Sequence, residues 1–287
     1  MSNVVFVLDS GSDFEVDNGL DLQHHVEVVP LNIYFGDDVY LDGVDLNKEQ
    51  FYERMSESEA LPKTSQPSPQ AFHDVFKKYI DEDKEVISLS ISSELSGTYQ
   101  STTIARDMIE DEQEKEKIHL VDSANVSVVV LYMLKRADKM LSEGKTAKEV
   151  VQWIEDHKAQ IKILALLDTL ENLKKGGRIS SAQAMIGGIL NIKPIVTVDN
   201  GKVNMLDKSR GRKRGLRQLG EYIGSLSDYE TDIAFIVHGY TNEDDARKEV
   251  ANVLDLDTFE EVHYYKLGST IGTHAGPNVL GVALKQK

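Results

Sequence analysis

The sequence predicts an α/β protein of two domains: an N-terminal α/β domain with a parallel sheet over residues 1–160, and a C-terminal α+β domain over residues 161–287. Three observations lead there. Short apolar runs alternate with amphipathic helical patterns through the first half, as in a parallel sheet with helices on both faces. After residue 160 a hairpin pattern interrupts that alternation. The 287 residues, 40% hydrophobic, are enough for one large or two ordinary domains with a sizeable core. No repeat, low-complexity tract or Pro/Ser-rich linker separates the halves, so they are expected to pack closely.

The elements follow in order. VVFVL (4–8) is a buried-strand pattern, followed by polar DSGSD. VEVVPLNIYF (26–35) reads as extended, with Pro30 moving it toward a sheet edge because proline donates no ladder hydrogen bond. LNKEQFYERM (46–55) and PQAFHDVFKKYI (69–80) have helical spacing. Ser68 caps the second, and Pro69 takes its first position, where a missing N–H costs nothing. VISLSI (86–91) is a strand, with the helix GTYQSTTIARDMIED after it. KIHLVDS (117–123) is a strand, and VVLYMLKRADKMLSE a helix with a basic end. TAKEVVQWIEDHKAQ (146–160) is a helix capped by Thr146, and IKILALL (161–167) a strand. DTLENLKKGGRISSAQAMIGGIL reads as a short helix, a break at Gly176-Gly177 and a second helix. KPIVTVDNGKVNML (193–206) is a hairpin turning at Asn200-Gly201, the dipeptide that best adopts two positive φ angles. GRKRGLRQLGEYIGSL is a helix; TDIAFIVHG, NEDDARKEVANVL and VHYYKLG are strand, helix and strand.

Composition removes several functions. With no cysteine there is no disulfide, thiolate metal site or cysteine nucleophile, and a reducing compartment is compatible. A net charge of -16 opposes general nucleic-acid binding and adsorption to anionic membranes. The N-terminus lacks the basic region and apolar length of a signal peptide, and the longest apolar run, VSVVVLYML, falls short of the roughly 20 residues that span a bilayer. The expectation is a cytoplasmic protein without stable membrane insertion. No phosphate-binding loop, dinucleotide fingerprint, G-x-S-x-G elbow, H-E-x-x-H or EF-hand loop occurs. His24 and His25 are adjacent, so in an extended segment they face opposite sides and read as structural. DEDKE and IEDEQEKEK read as solvated faces. Asp9 and Asp13 follow the first strand, where they cap the next helix or serve a metal or a proton; capping is the favoured reading.

Two hydroxyl clusters stand out. In EVISLSISSELSGTYQST, Ser92, Ser93, Ser96, Thr98 and Ser101 sit where a strand turns into a helix. In KTSQPSP, a Pro-punctuated loop again offers hydroxyls before a helix. Ligands of α/β sheets collect at the carboxyl ends of strands, and a helix N-terminus there suits an anion. Each cluster by itself reads equally as a helix cap. DKSRGRKR (207–214) is a basic island in an acidic chain, and GSTIGTHAGPNVLG (268–281) places His274 in a glycine-rich turn. Arginine supplies a fixed cation for a carboxylate, and histidine a hydrogen bond at neutral pH.

These residues resemble the DegV family, the fatty-acid-binding carriers of bacterial fatty acid kinase. The likeness runs through VLDSGSD, KTSQPSP, ISSELSGTYQST, VDS, LENLKKGGRIS, LNIKPIV, KSRGRKR and IGTHAGP, in order along essentially the whole chain. It implies a ligand tunnel between the two domains holding a long-chain fatty acid. Thr64 and Ser96 would hold the carboxylate, and Arg210 and His274 would reach the acyl head. Ser65, Ser93, Gly97, Thr98, Gly272 and Thr273 stand in support. The implied partner is the fatty acid kinase catalytic subunit, which phosphorylates the bound acid to an acyl phosphate for phospholipid synthesis. No cofactor or metal is implied, only the fatty acid as ligand. At about 0.8 kcal/mol per buried CH₂ the tail supplies most of the affinity, and the hydroxyls fix the head. Met185, Ile186, Ile189, Leu190 and Ile192 are candidates for tunnel lining or ordinary core. Two departures from the family pattern bear on the tunnel: the bulky valines of ANVSVVVLYML after VDS, expected to narrow or reshape it, and Asn278 where glycine is usual, a position that often needs an unusual backbone conformation.

Three functions fit the sequence. The first is a fatty-acid carrier with no chemistry of its own. The second is a hydrolase or transferase acting on a small acyl or phosphate substrate, with Ser96 as nucleophile and His274 as base. The third, compatible with the first, is a kinase-docking module using DKSRGRKR, with Arg212 and Arg214, and KKGGR as contact patches.

Overall fold

Side-chain alternation along β1 (Val4–Asp9) decides where the first half buries its apolar surface. Phe6 and Leu8 point to one face of the sheet, beside Ile87 and Leu89; Val5 and Val7 point to the other, beside Val86. A strand buried on both faces has to read as a continuous apolar run, as VVFVL does. The computed structural model describes residues 3–15, 19–179, 192–226 and 228–287. β1 pairs in parallel with β2 (Val26–Val29) and β6 (Glu85–Ser90), and β7 (Ile118–Asp122) extends the sheet beyond β6. The strand order is β2-β1-β6-β7.

The segment 26–35 is not one strand. Pro30 ends β2, and β3 (Asn32–Phe35) leaves for a second, three-stranded antiparallel sheet with β4 (Asp38–Leu41) and β5 (Lys63–Ser65), in the order β4-β3-β5. KTSQPSP is therefore not all loop. Its first three residues are a sheet edge, and Thr64 is held in register opposite Ile33.

Helices cover the parallel sheet as the spacing predicts. α1 (Lys48–Glu57) packs Phe51 under the small sheet with Ile33 and Phe35. α2 (Pro69–Asp81), with Ser68 accepting from Ala71 N and Pro69 at its start, buries Phe72, Phe76, Tyr79 and Ile80. α3 (Thr98–Asp107) lies beside it, and the short α4 (Glu112–Glu116) buries no side chain. On the other face run α5 (Val128–Ser142) and α6 (Ala147–His157), the latter opened by a capping box between Thr146 and Glu149.

α5 explains the valine run. It contacts β6 of the first sheet and also β8 (Ile161–Leu166), β11 (Ile233–His238) and β13 (Leu280–Lys285) of another. A helix wedged between two sheets must be apolar all round, and Val128 to Leu134 are all buried. At about 1.5–3 kcal/mol per fully buried aliphatic side chain, this helix is a major contributor to stability. The valines Val128, Val129 and Val130 belong to the core; only Val126 and Ser127, before the helix, reach the cavity described below.

The second half forms a six-stranded sheet in the order β10-β9-β8-β13-β11-β12, with β9 (Ile192–Asp199), β10 (Lys202–Arg210) and β12 (Glu261–Lys266). All neighbours are antiparallel except β11 and β12, which α9 (Glu243–Val250) links in parallel. The Asn200-Gly201 turn has φ of 49° and 76°, as that dipeptide predicts. Ile163, Ala165, Phe235 and Val237 face α5, while Leu164, Leu166, Ala234 and Ile236 face α8 (Arg212–Ser225) and α9.

Between β8 and β9, α7 (Glu171–Lys175) is the short helix before the Gly176-Gly177 break. The helix expected after that break, with Met185, Ile186, Ile189 and Leu190, lies outside the described residues; Ile192 begins β9. GSTIGTHAGPNVLG is more than a turn. It contains α10 (Ser269–Ala275), which carries His274 in its last turn, and leads into β13, inserted between β8 and β11. Asn278 has φ 57°, the left-handed conformation expected of it, and its amide donates to Asp168 Oδ2 at 3.0 Å. No described helix is long and apolar enough to cross a membrane.

Candidate functional site

A cavity of about 930 Å³, counting the part open to solvent, lies between the two sheets. Its walls are aliphatic: Leu31, Ile91 and Val126 from the first half meet Ile163, Val196 and Val237 from the second. No phenylalanine, tyrosine or tryptophan is among its described lining residues. The lining suits an alkyl chain rather than a stacked ring.

The polar groups of the cavity form a closed ring of contacts. Thr64 Oγ1 and His274 Nε2 are 3.0 Å apart. The His274 ring lies against Gly176, where an added methyl would stand 2.3 Å from Nδ1. Arg178 donates to Gly176 O at 2.5 Å and, through Nε, to Leu95 O at 3.2 Å. Ser96 follows Leu95, and Gly97 packs on Gln66, which returns the ring to Ser65 and Thr64. Ser65 Oγ is steadied by Asn32 Nδ2 at 3.1 Å and by Tyr34 OH at 3.2 Å. Four separated segments thus deliver hydroxyls, an imidazole and a guanidinium to one region of an otherwise aliphatic space.

The two bases differ in charge state. His274 is partly buried beside the Arg178 guanidinium; desolvation first, and that cation second, push its pKa down to about 4, so the imidazole is neutral at pH 7. Arg178 contacts only backbone carbonyls and pairs with no carboxylate among the described residues. A neutral donor-acceptor set beside one uncompensated cation is the electrostatic complement of a single anion.

The expected residues sort clearly. Thr64, Ser65, Ser96 and His274 line the cavity. Arg210 does not: it is exposed at the end of β10 and outside the lining, and Arg178 supplies the guanidinium instead. The GGR run at 176–178 carried that signal, since an arginine after a Gly-Gly break sits on a chain able to turn back sharply. Ser93 is exposed and bonds Asp122 Oδ2 at 2.5 Å. Thr98 is buried outside the lining, its hydroxyl 2.8 Å from Ser96 Oγ. Gly272 faces Tyr52 of α1, and Thr273 Oγ1 bonds Ser269 O at 2.9 Å.

The hydroxyls after β6 therefore divide their work. Ser92 Oγ donates to Gly201 O at 2.8 Å and pins the β9–β10 hairpin tip. Ser96 faces the cavity, and α3 has Gly97 at its cap position with no side-chain cap. Asp9 does cap: it accepts from Gly11 N at 3.0 Å and from Ile91 N at 2.9 Å. Arg212, read from sequence as a partner contact, is consumed inside the fold by Asp168, Glu249 and the Tyr240 hydroxyl. Arg214 is exposed.

A serine nucleophile needs an oriented base near neutral pKa. Here Ser96 Oγ bonds Thr98 and not His274, the His274 pKa is near 4, and its Nδ1 is buried without a hydrogen-bond partner. This geometry does not place a base on the Ser96 hydroxyl.

Known proteins show the same architecture. A curated DegV domain-containing protein of Caldanaerobacter subterraneus subsp. tengcongensis is 34% identical over 290 residues, covering 100% of both chains. A solved structure from Thermus thermophilus, described as fatty acid binding of a DegV family protein, superposes with a TM-score of 0.86 at 30% identity over 99% of each chain. Another, from Bacillus subtilis and described as DegV, a fatty acid binding protein, has a TM-score of 0.83 at 27% identity over 100% of each. The family model described as "Uncharacterised protein, DegV family" matches residues 3–287, and this chain belongs to the DegV family.

Proposed function

We propose that this protein binds a long-chain fatty acid in the cavity between its sheets and presents the carboxylate to a partner kinase for phosphorylation. The observation that carries the binding half is the ring of Thr64, Ser96, Arg178 and His274 closing one region of an aliphatic cavity. The carboxylate accepts hydrogen bonds from the hydroxyls and from His274 Nε2, with the Arg178 charge beside it. The alkyl chain lies along Ile163, Val196 and Val237. The solved structures from Thermus thermophilus and Bacillus subtilis, described as fatty-acid binders, support the ligand class. The kinase half, and a cytoplasmic setting for it, rest on the resemblance of the sequence motifs to the carriers of fatty acid kinase.

Native mass spectrometry of the purified protein, followed by lipid extraction, tests the binding half. An added mass released as free fatty acid is expected, and combined Thr64→Ala and Ser96→Ala substitution should weaken uptake of palmitate or oleate. A correctly folded double variant with unchanged affinity would sink the head-group assignment. For the kinase half, a fatty acid kinase catalytic subunit with ATP should yield acyl phosphate only when the loaded carrier is present; equal yield without the carrier removes it.

A further inference from the structure

We infer that Asp13 is a positioning residue of the head-group site, acting through α10 to hold His274 against Thr64. The inference rests on the head-group reading above and adds a residue that lies outside the cavity. Asp13 is buried at the end of the short 3₁₀ turn after β1, in a left-handed conformation with φ 61°. Its two carboxylate oxygens reach in two directions. Oδ1 accepts from Gly268 N, at the cap position of α10, at 2.9 Å. Oδ2 accepts from the hydroxyl of Ser127, which lines the cavity. A side chain at residue 268 would meet this carboxylate at 2.6 Å, so the helix start is pressed directly onto it.

Ser127 is itself held in an unusual conformation. Its φ of 57° and ψ of -137° fall in a region that only glycine enters freely, and its N–H donates to Gly11 O at 2.8 Å. Such strain persists only where the surroundings over-determine it, and it gathers at ligand clamps. Here the surroundings are Asp13 and the turn that presents it. A second aspartate reinforces the same helix: Asp42 accepts from Thr270 N at 3.2 Å and from Thr270 Oγ1 at 2.6 Å. Lys48 stands close to Asp13; its ammonium donates to Lys266 O at 2.8 Å and lies 3.3 Å from Glu15 Oε2.

The geometry makes α10 a two-turn rod. Residues of the first half grip its start, and His274 projects from its end between Thr64 and Gly176. A seven-residue helix is marginal by itself, so tertiary contacts orient it: Asp13 and Asp42 hold its start, and Asn172 Nδ2 donates to Thr273 O at 3.1 Å near its end. The buried carboxylate of Asp13 thereby couples the floor of the cavity at Ser127 to the polar ring.

A double-mutant cycle on palmitate affinity, run on the full chain, tests this. Asp13→Ala should weaken binding about tenfold alone but less than about twofold when His274 is already Asn, because both changes remove the same contact. Asp13→Asn should restore affinity, since its amide oxygen still accepts from Gly268 N and its NH₂ can donate to Ser127. Imidazole NMR signals of His274 should move in Asp13→Ala and return in Asp13→Asn. Additive losses in the cycle, or an unmoved His274 signal, overturn the inference. If His274→Asn alone leaves affinity unchanged, the head-group reading fails, and the imidazole signals still decide whether Asp13 positions the ring. Should Asp13→Ala fail to fold, Gly268→Ala, whose methyl would stand 2.6 Å from Asp13 Oδ1 and push the helix start off that carboxylate, enters the same cycle with the same outcomes.

Discussion

Replacing Gly176 by alanine drives a wedge behind His274 while leaving every described lining residue itself unchanged. The new methyl would stand 2.3 Å from Nδ1 and 2.9 Å from Cε1, whereas ordinary van der Waals contact begins at 3.4 Å. The ring therefore has to withdraw by roughly an ångström, because close-packed neighbours leave no other space. Its bond to Thr64, 3.0 Å long, has little room for such a move and ceases to be a hydrogen bond beyond about 3.5 Å. Backbone strain does not confuse the result: residue 176 has φ -74° and ψ -12°, an ordinary helical conformation. The overpacking cost of about 1–3 kcal/mol is offset in part by about 0.4–1 kcal/mol gained through the unfolded chain, so the net change in stability is small beside the loss of affinity. A hydrogen bond to a charged group contributes about 1.5–3 kcal/mol, so palmitate should bind roughly ten- to a hundredfold more weakly while the thermal midpoint shifts little. Isothermal titration against the wild type reads the affinity, and a crystal structure of the variant reads the ring. A displaced ring with unchanged affinity refutes the role given to His274. An undisplaced ring refutes the packing argument.

Other consequences can be measured directly. Asn278→Ala should lower stability by about 1–2 kcal/mol in urea, because φ 57° is costly for alanine, which lacks asparagine's polar side chain, whereas Asn278→Gly should cost less than half of that; equal losses would assign the effect to the Asp168 contact alone. His274 has a folded pKa near 4 against 6.5 when unfolded, so the unfolded chain binds more protons between those values. Its contribution to stability is complete above pH 6.5 and declines by about 3 kcal/mol as pH falls toward 4. His274→Asn should remove that part of the acid slope in unfolding midpoints; parallel slopes would contradict it. Arg212→Glu should destabilise by roughly 2 kcal/mol or more, because Glu249 loses its cation and a third carboxylate is brought beside it and Asp168, which keeps only Lys193. Arg214→Glu, on the surface, should change stability by less than about 0.5 kcal/mol; similar losses for both would return the basic island to a single role.

Local chemistry announced much of this molecule. The doubly buried run of β1, the Ser68-Pro69 start of α2, the Thr146–Glu149 box and the Asn200-Gly201 turn are set by neighbours within a few residues, so they are legible in the chain itself. The resemblance of its motifs to the DegV family likewise implied Thr64, Ser96 and His274, and the fold brings all three to one cavity. What the sequence hid depends on contacts between distant residues. Whether the valines after Ser127 wall a tunnel or fill a core is decided by the second sheet, which closes over α5 from residues more than thirty positions away. Whether Arg178 or Arg210 lines the cavity depends on where each chain turns back: both stand in basic runs, yet only the first meets Leu95, eighty-three residues earlier. Asp13 looked like a local cap because capping is a short-range pattern; its partners, Ser127 and Gly268, lie 114 and 255 residues away. Residue type and spacing specify strands, helices and turns, since those are settled by hydrogen bonds and sterics along the chain. The address of each polar group in the ring is settled only when the two sheets close on one another.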